Sequence, residues 1–249
     1  MKVVPHIKNG FGMGSITDNI RIELQQNIDA KTSESTQHFF KEKVKFYGVR
    51  TPTVNKISRA YFALIESKTK SEILGLCENL WQSGFIEESI IACRWSYFIR
   101  QSYEPSDFRV FEKWVNIYVN NWASCDTLCN HSIGKHIEMY PEFVARLKTF
   151  AQSNNRWMRR AASVSLIVPA RKGKFLNEIL EIADVLLLDK DDLVQKGYGW
   201  LLKTAGEANQ QKIFDYVMEN KDTMPRTALR YAIEKMPKEW KNKAMGKSF

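Results

Sequence analysis

Trp122 and Asp126 stand four residues apart in the stretch NNWASCDTLCNH. On a helix, that spacing puts both side chains on one face, one turn apart. The pair suits one kind of chemistry. An indole face attracts positive charge, and a carboxylate stabilises a cation directly, so the two together fit a cationic sugar. The competing explanation is structural: Trp122 belongs to the core and Asp126 caps a helix.

Other candidates are weaker. In YGVRTP, Gly48 can end a helix in the left-handed conformation, Thr51 can cap the next helix, and Pro52 fits its first turn. The N–H groups of that new helix, beside Arg50 and Thr51 and followed by Lys56 and Arg59, could hold a phosphate. Cys125, Cys129, His131 and His136 do not make a convincing zinc set, because the two histidines are five apart and leave one face. No metal is expected. Glu87 and Glu88 read as a solvated face, and Trp81, Trp95 and Trp114 as core. There is no P-loop, G-x-G-x-x-G, G-x-S-x-G or H-E-x-x-H.

The surroundings of that pair are basic. Of 249 residues, 37 are Lys or Arg and 28 are Asp or Glu, a formal net charge of +9. That excess favours an acidic partner, with nucleic acid ahead of a membrane surface. No apolar run approaches the ~20 residues of a membrane span, and the N-terminus lacks the apolar core of a signal peptide. The four cysteines include no C-x-x-C pair, which suits a reducing compartment, and the expected location is cytoplasmic.

The apolar periodicity is helical throughout. Ile16, Ile20, Leu24 and Ile28 repeat every four residues, so 15–28 is expected as a helix. A polar turn over 29–36 and a Phe- and Lys-rich helix over 37–46 follow. Further helices are expected to about 67, over 71–81, 86–100, 104–120, 122–140, 141–152, 157–168, 174–188, 192–204, 210–219 and 225–236. No stretch alternates like a strand. Residues 1–14 read as a flexible lead-in, 15–240 as a single domain, and 241–249 as a frayed basic tail.

Three segments align without gaps: RWMRRAASVSL, DLVQKGYGWLL and TMPRTALRYAI. Trp157 and Leu193 are 36 residues apart, and Leu193 and Met224 are 31. Stepping back 36 from Trp157 lands beside Trp122. A period in the mid-thirties with two helices per unit indicates an all-α solenoid, a superhelix of HEAT-like repeats whose second helices line a concave face. In that register Trp122 and Asp126, Arg159 and Arg160, Gln195 and Lys196, and Arg226 hold comparable positions, with Trp200 a turn beyond Lys196. The expected face is concave and basic, with indoles and one carboxylate.

The blocks YGVRTP, NNWASCD, RWMRRAA and QKGYGWLLK resemble the AlkD-type DNA alkylation-repair glycosylases, from about Gln37 to Met236. The resemblance implies excision of N3- or N7-alkylated purines, cationic lesions with weakened glycosidic bonds, without metal or cofactor. It implies that Trp122 and Trp200 pack on the lesion's deoxyribose and backbone. Asp126 would stabilise the oxocarbenium-like sugar and position water, and Arg160 would hold a nearby phosphate. Lys203 stands where the family can carry arginine, keeping a point charge without the bidentate fork. Phe39 stands where the family can carry tyrosine, so a polar contact from that segment is in doubt. The expected partner is double-stranded DNA with alkylated bases, bound by a monomer, with no deep base-flipping pocket. Two other classes remain: a non-catalytic solenoid binding damaged or branched DNA, and a scaffold for an acidic protein.

Overall fold

The computed structural model describes residues 14–246, and every regular element among them is helical. The helices are α1 (Ile16–Gln26), α2 (Ala30–Thr36), α3 (Thr51–Leu64), α4 (Lys70–Gln82), α5 (Ile86–Phe98), α6 (Phe108–Ile117), α7 (Trp122–Leu128), α8 (Gly134–Met139), α9 (Val144–Ala151), α10 (Arg156–Val164), α11 (Ile167–Arg171), α12 (Leu176–Leu186), α13 (Asp192–Ala205), α14 (Gln210–Asn220), α15 (Arg226–Ala232) and α16 (Lys238–Ala244). A π-helical turn, Cys129–Ile133, joins α7 to α8. Local chemistry fixes many of the starts. Ser15 and Asp18 form a reciprocal capping box at α1, and Asp29, Thr69, Asn155 and Asp191 accept main-chain N–H groups at α2, α4, α10 and α13.

Three expectations change, and one falls outside the described residues. Residues 29–36 are not a bare turn: Asp29 caps α2. Residues 37–46 are not a helix: a 3-10 turn at Gln37–Phe39 gives way to extended chain, with an isolated parallel bridge between Lys45 and Phe85. The tail expected to fray from residue 241 is helical through Ala244, which is buried. The flexible lead-in falls on residues 1–13, outside the described residues, as do 247–249.

The chain divides into two compact units. One comprises the residues up to Glu104 together with Ile117–Leu128, and the other comprises Pro105–Asn116 and everything from Cys129. In the first, α5 packs against α3, α4 and α7, and α1 lies against α3 and α4. Trp81 and Trp95 are core, as expected, and the buried Trp95 indole donates to the Ser58 carbonyl at 2.9 Å, tying α5 to α3. Ser89 and Ser124 share a 3.1 Å hydrogen bond between α5 and α7.

In the second unit the repeat is visible as packing. α9 pairs with α10 and α12 with α13, while α10, α13 and α15 form a row of adjacent second helices. The three residues that anchor the sequence alignment, Trp157, Leu193 and Met224, are all buried. Two glycines let the row close up. A Cβ at Gly197 would meet Ser163 Oγ at 2.8 Å, and one at Gly199 would meet the Ala228 carbonyl oxygen and Tyr231 Cβ at 2.7 Å. Trp114 is core here, and His136 is buried among Phe108, Phe111, Tyr140 and Phe143. Among the described residues no helix is long and apolar enough to cross a membrane.

Candidate nucleic-acid site

The first unit carries a pocket of about 620 Å³ whose walls include Phe39, Phe40, Arg50, Thr51, Glu87, Trp122 and Asp126. Asn121 sets the tryptophan–aspartate face. Its buried amide oxygen accepts the Ser124 N–H at 2.9 Å, which caps α7 and makes Trp122 the first helical residue. Asp126 follows one turn on, so both side chains reach the pocket. Both are partly exposed. The structural alternative therefore fails on both counts: Trp122 is not core, and the cap is Asn121, not Asp126.

The opposite wall comes from the segment before α3. Phe40 stacks on Trp122, ring centroids 5.5 Å apart and planes 27° from parallel, and the indole N–H donates to the Phe39 carbonyl at 3.3 Å. The Phe39 ring is 70% exposed. Thus residue 39 touches Trp122 through its main chain, a contact that does not need the tyrosine hydroxyl.

Arg50, not Thr51, is the N-cap residue of α3; Thr51 and Pro52 are its first two helical residues, and no side chain caps the end. Arg50 and Thr51 are exposed. The loop leading to them is held by Glu87 and Glu88, which are buried and not solvated. Glu87 accepts main-chain N–H groups from Tyr47, Gly48 and Val49. Glu88 accepts the Tyr47 hydroxyl at 2.7 Å and Arg21 Nε at 3.1 Å. Burial, then the hydrogen bond to Glu88, drives the Tyr47 hydroxyl pKa upward. Gly48 has φ +88°, and a Cβ there would sit 2.7 Å from Ser33 Cβ, so both conformation and space require glycine. Sequence reasoning missed Glu87, Glu88, Phe40 and Asn121. The asparagine before the tryptophan carried a readable cap signal; the glutamates, far in sequence from their partners, carried none.

In the second unit, Trp200 is partly exposed on α13. The cations of the repeat register are mostly engaged. Arg159 pairs with Asp189, Nε to Oδ2 2.6 Å, and donates to the Ser153 and Asn154 carbonyls. Arg160 is 5% exposed and donates to the Leu193 carbonyl, which makes it a strut between α10 and α13. Lys196 pairs with Asp192 at 2.9 Å, and Lys203 with Glu234 at 3.0 Å above the Tyr231 ring. Arg226 is exposed at the first residue of α15. Cys77, Cys93, Cys125 and Cys129 are buried and not joined in disulfides, and burial pushes the Cys77 thiol pKa up.

The sequence matches the DNA alkylation repair enzyme family over residues 20–236, and the chain belongs to that family. Among solved structures it is similar to a predicted DNA alkylation repair enzyme from Enterococcus faecalis, with TM-score 0.75, 18% identity, and coverage of 85% of this chain and 98% of that one. It is also similar to the Pseudomonas fluorescens alkylpurine DNA glycosylase AlkC, solved bound to DNA containing an abasic-site analogue, with TM-score 0.51 and 14% identity over 93% of this chain and 65% of AlkC. At these identities the likeness is one of fold. No match is found among curated proteins.

Proposed function

We propose that this protein is an AlkD-type DNA glycosylase that excises cationic N3- and N7-alkylpurines from double-stranded DNA. One observation carries the proposal: Trp122 and Asp126 share one face of a capped helix and line the same pocket. The lesion brings its own leaving-group activation. When the glycosidic bond breaks, its electron pair goes to the purine and neutralises the charge there, so no protein acid is needed. The demanding species is the oxocarbenium-like sugar. The Trp122 ring face and the Asp126 carboxylate stabilise it, and the field of a carboxylate is strongest where water is partly excluded. Water adds at C1′ and Asp126 takes its proton, which leaves a free base and an abasic site. Enzymes that cleave neutral glycosides need a second carboxylate to protonate the leaving group; here one suffices. The grip falls on sugar and backbone, without a base flipped into a deep pocket.

Trp200 of the second unit packs on DNA sugar and backbone. Arg50, Thr51 and Arg226 contact phosphates as exposed groups, and Lys196 and Lys203 do so by exchanging an acid for a phosphate. Arg159 and Arg160 act chiefly by fixing the helices that carry those groups. No cofactor enters this scheme, and a monomer suffices for it. The AlkC complex, with its abasic-site analogue, supports DNA as the partner class.

Chromatography of bases released from methylated duplex tests the proposal. Asp126→Asn should lower single-turnover release of 7-methylguanine by about a hundredfold or more, with duplex affinity nearly intact. Lost affinity with an unchanged rate of release sinks the assignment. Phe40, stacked on one face of Trp122, favours a second reading, non-catalytic binding of damaged DNA. That reading predicts no base release from the wild type.

A further inference from the structure

The pocket's second carboxylate, Glu87, has no part in the chemistry above, yet it is held by three main-chain N–H groups. It is 5% exposed. Oε1 accepts the N–H groups of Tyr47 at 3.1 Å, Gly48 at 2.8 Å and Val49 at 3.1 Å, and Oε2 accepts that of Tyr47 at 3.0 Å. Three successive N–H groups converging on one anion make a backbone nest. Here the anion is internal, delivered by the first turn of α5 to a segment about forty residues earlier. The Lys45 carbonyl accepts the Ile86 N–H at 2.9 Å, and Tyr47 stacks on Phe85 with centroids 4.2 Å apart, so the segment is tied to α5 along its length. Val49 is the last residue Glu87 holds. Arg50 is the next, exposed on the wall of the same pocket as Asp126.

Hydrogen bonds to an ionised acceptor are among the strong ones. A glutamine at 87 can keep its carbonyl oxygen at the Oε1 position but loses the charge and turns an NH₂ donor toward the Tyr47 N–H, and an aspartate would retreat by a methylene. Either change leaves helix-compatible residues on α5 and weakens the hold on the 47–50 segment.

We infer that Glu87 is the positioning residue that sets Arg50 against a phosphate of the bound duplex. The inference rests on the DNA-binding part of the function proposed above and not on base excision. Binding to a duplex carrying an abasic-site analogue, measured by fluorescence anisotropy across a salt series, tests it without any chemical step. Arg50→Ala and Glu87→Gln should each weaken affinity about tenfold and lower the salt slope by about one. The double variant should bind no more weakly than either single, because both remove one shared contact. Additive losses, or an unchanged salt slope in Glu87→Gln, overturn the inference. Should Glu87→Gln not fold, Glu87→Asp takes its place and must show the same coupling. Hydrogen exchange gives the second measure. Faster exchange confined to Tyr47, Gly48 and Val49 supports positioning, whereas acceleration throughout the helices around α5 overturns it. Base release is scored separately: its absence with the coupling present refutes the excision chemistry and supports the role of Glu87.

Discussion

The α10–α13–α15 row and the loop beside the Trp122–Asp126 pocket treat their cations differently. On the α10–α13–α15 row, Arg159, Lys196 and Lys203 each face an acid, and Arg160 is bound to a main-chain carbonyl. Beside the Trp122–Asp126 pocket, the two glutamates that hold the Arg50 loop face other partners, while the charge of Arg50 is felt by Asp29, whose carboxyl pKa is lowered first by hydrogen bonds from Thr32 and then by Arg50. Glu87 holds main-chain N–H groups, and Glu88 holds Arg21 and the Tyr47 hydroxyl, while Arg50 is exposed. A net charge of +9 is therefore a poor guide to where positive surface is available. A paired lysine meets a phosphate only by giving up a carboxylate, so it adds less affinity than its charge suggests.

The largest test of that contrast is on stability. Asp189 is the nearly buried partner of Arg159, whose guanidinium also caps the chain after α9. Asp189→Asn should cost about 2 kcal/mol, because it leaves a part-buried arginine short of its anion. Denaturant unfolding checks this, and a loss under a few tenths would mean that Arg159 is free for other duties. Next comes Arg50→Ala against Lys203→Ala. The first should weaken duplex binding about tenfold, and the second by no more than about threefold, since Lys203 must first leave Glu234. Equal losses would erase the distinction between the row and the loop. A smaller effect tests the same point from the acid's side: Glu234→Gln should strengthen binding by roughly twofold at low salt, and the gain should vanish at high salt.

The smallest effect is on alkaline stability. Burial raises the hydroxyl pKa of Tyr47 and of Tyr216, aided by hydrogen bonds to Glu88 and Asp184. A folded-state pKa above the unfolded value of about 10 gives stabilisation that is complete below pH 10 and lost as pH rises further. Thermal midpoints above pH 10 should therefore fall less steeply in Tyr47→Phe and Tyr216→Phe than in the wild type.

Much of the fold was legible because its signals are local. α10 and α13 announce themselves by Asn155 and Asp191 as caps and by apolar residues at helical spacing, and their repeat survives as packing. The segment 37–46 was not legible, although Gly48 just after it was read correctly as left-handed. Its composition suits a helix, but the N–H groups of Tyr47, Gly48 and Val49 are claimed by Glu87. Long-range hydrogen bonds of that strength override propensity, which is worth only tenths of a kcal/mol per residue. The same limit applies to the site. The spacing of Trp122 and Asp126 showed that they share a face. The register that aligned Arg160 with Lys196 could not show that the arginine is buried against Leu193.

The glycine pair on α13 has a consequence for Trp200. With hydrogens at 197 and 199 where any larger group would strike a neighbouring helix, α13 is gripped from two sides along its middle turns. Sliding it by even a fraction of a turn would drive it into Ser163 on one side and the Ala228 main chain on the other. The indole one residue beyond Gly199 therefore inherits its height and azimuth from a seam it does not touch. Mutational tolerance should be lowest at those two silent positions and not at the aromatic ring they aim.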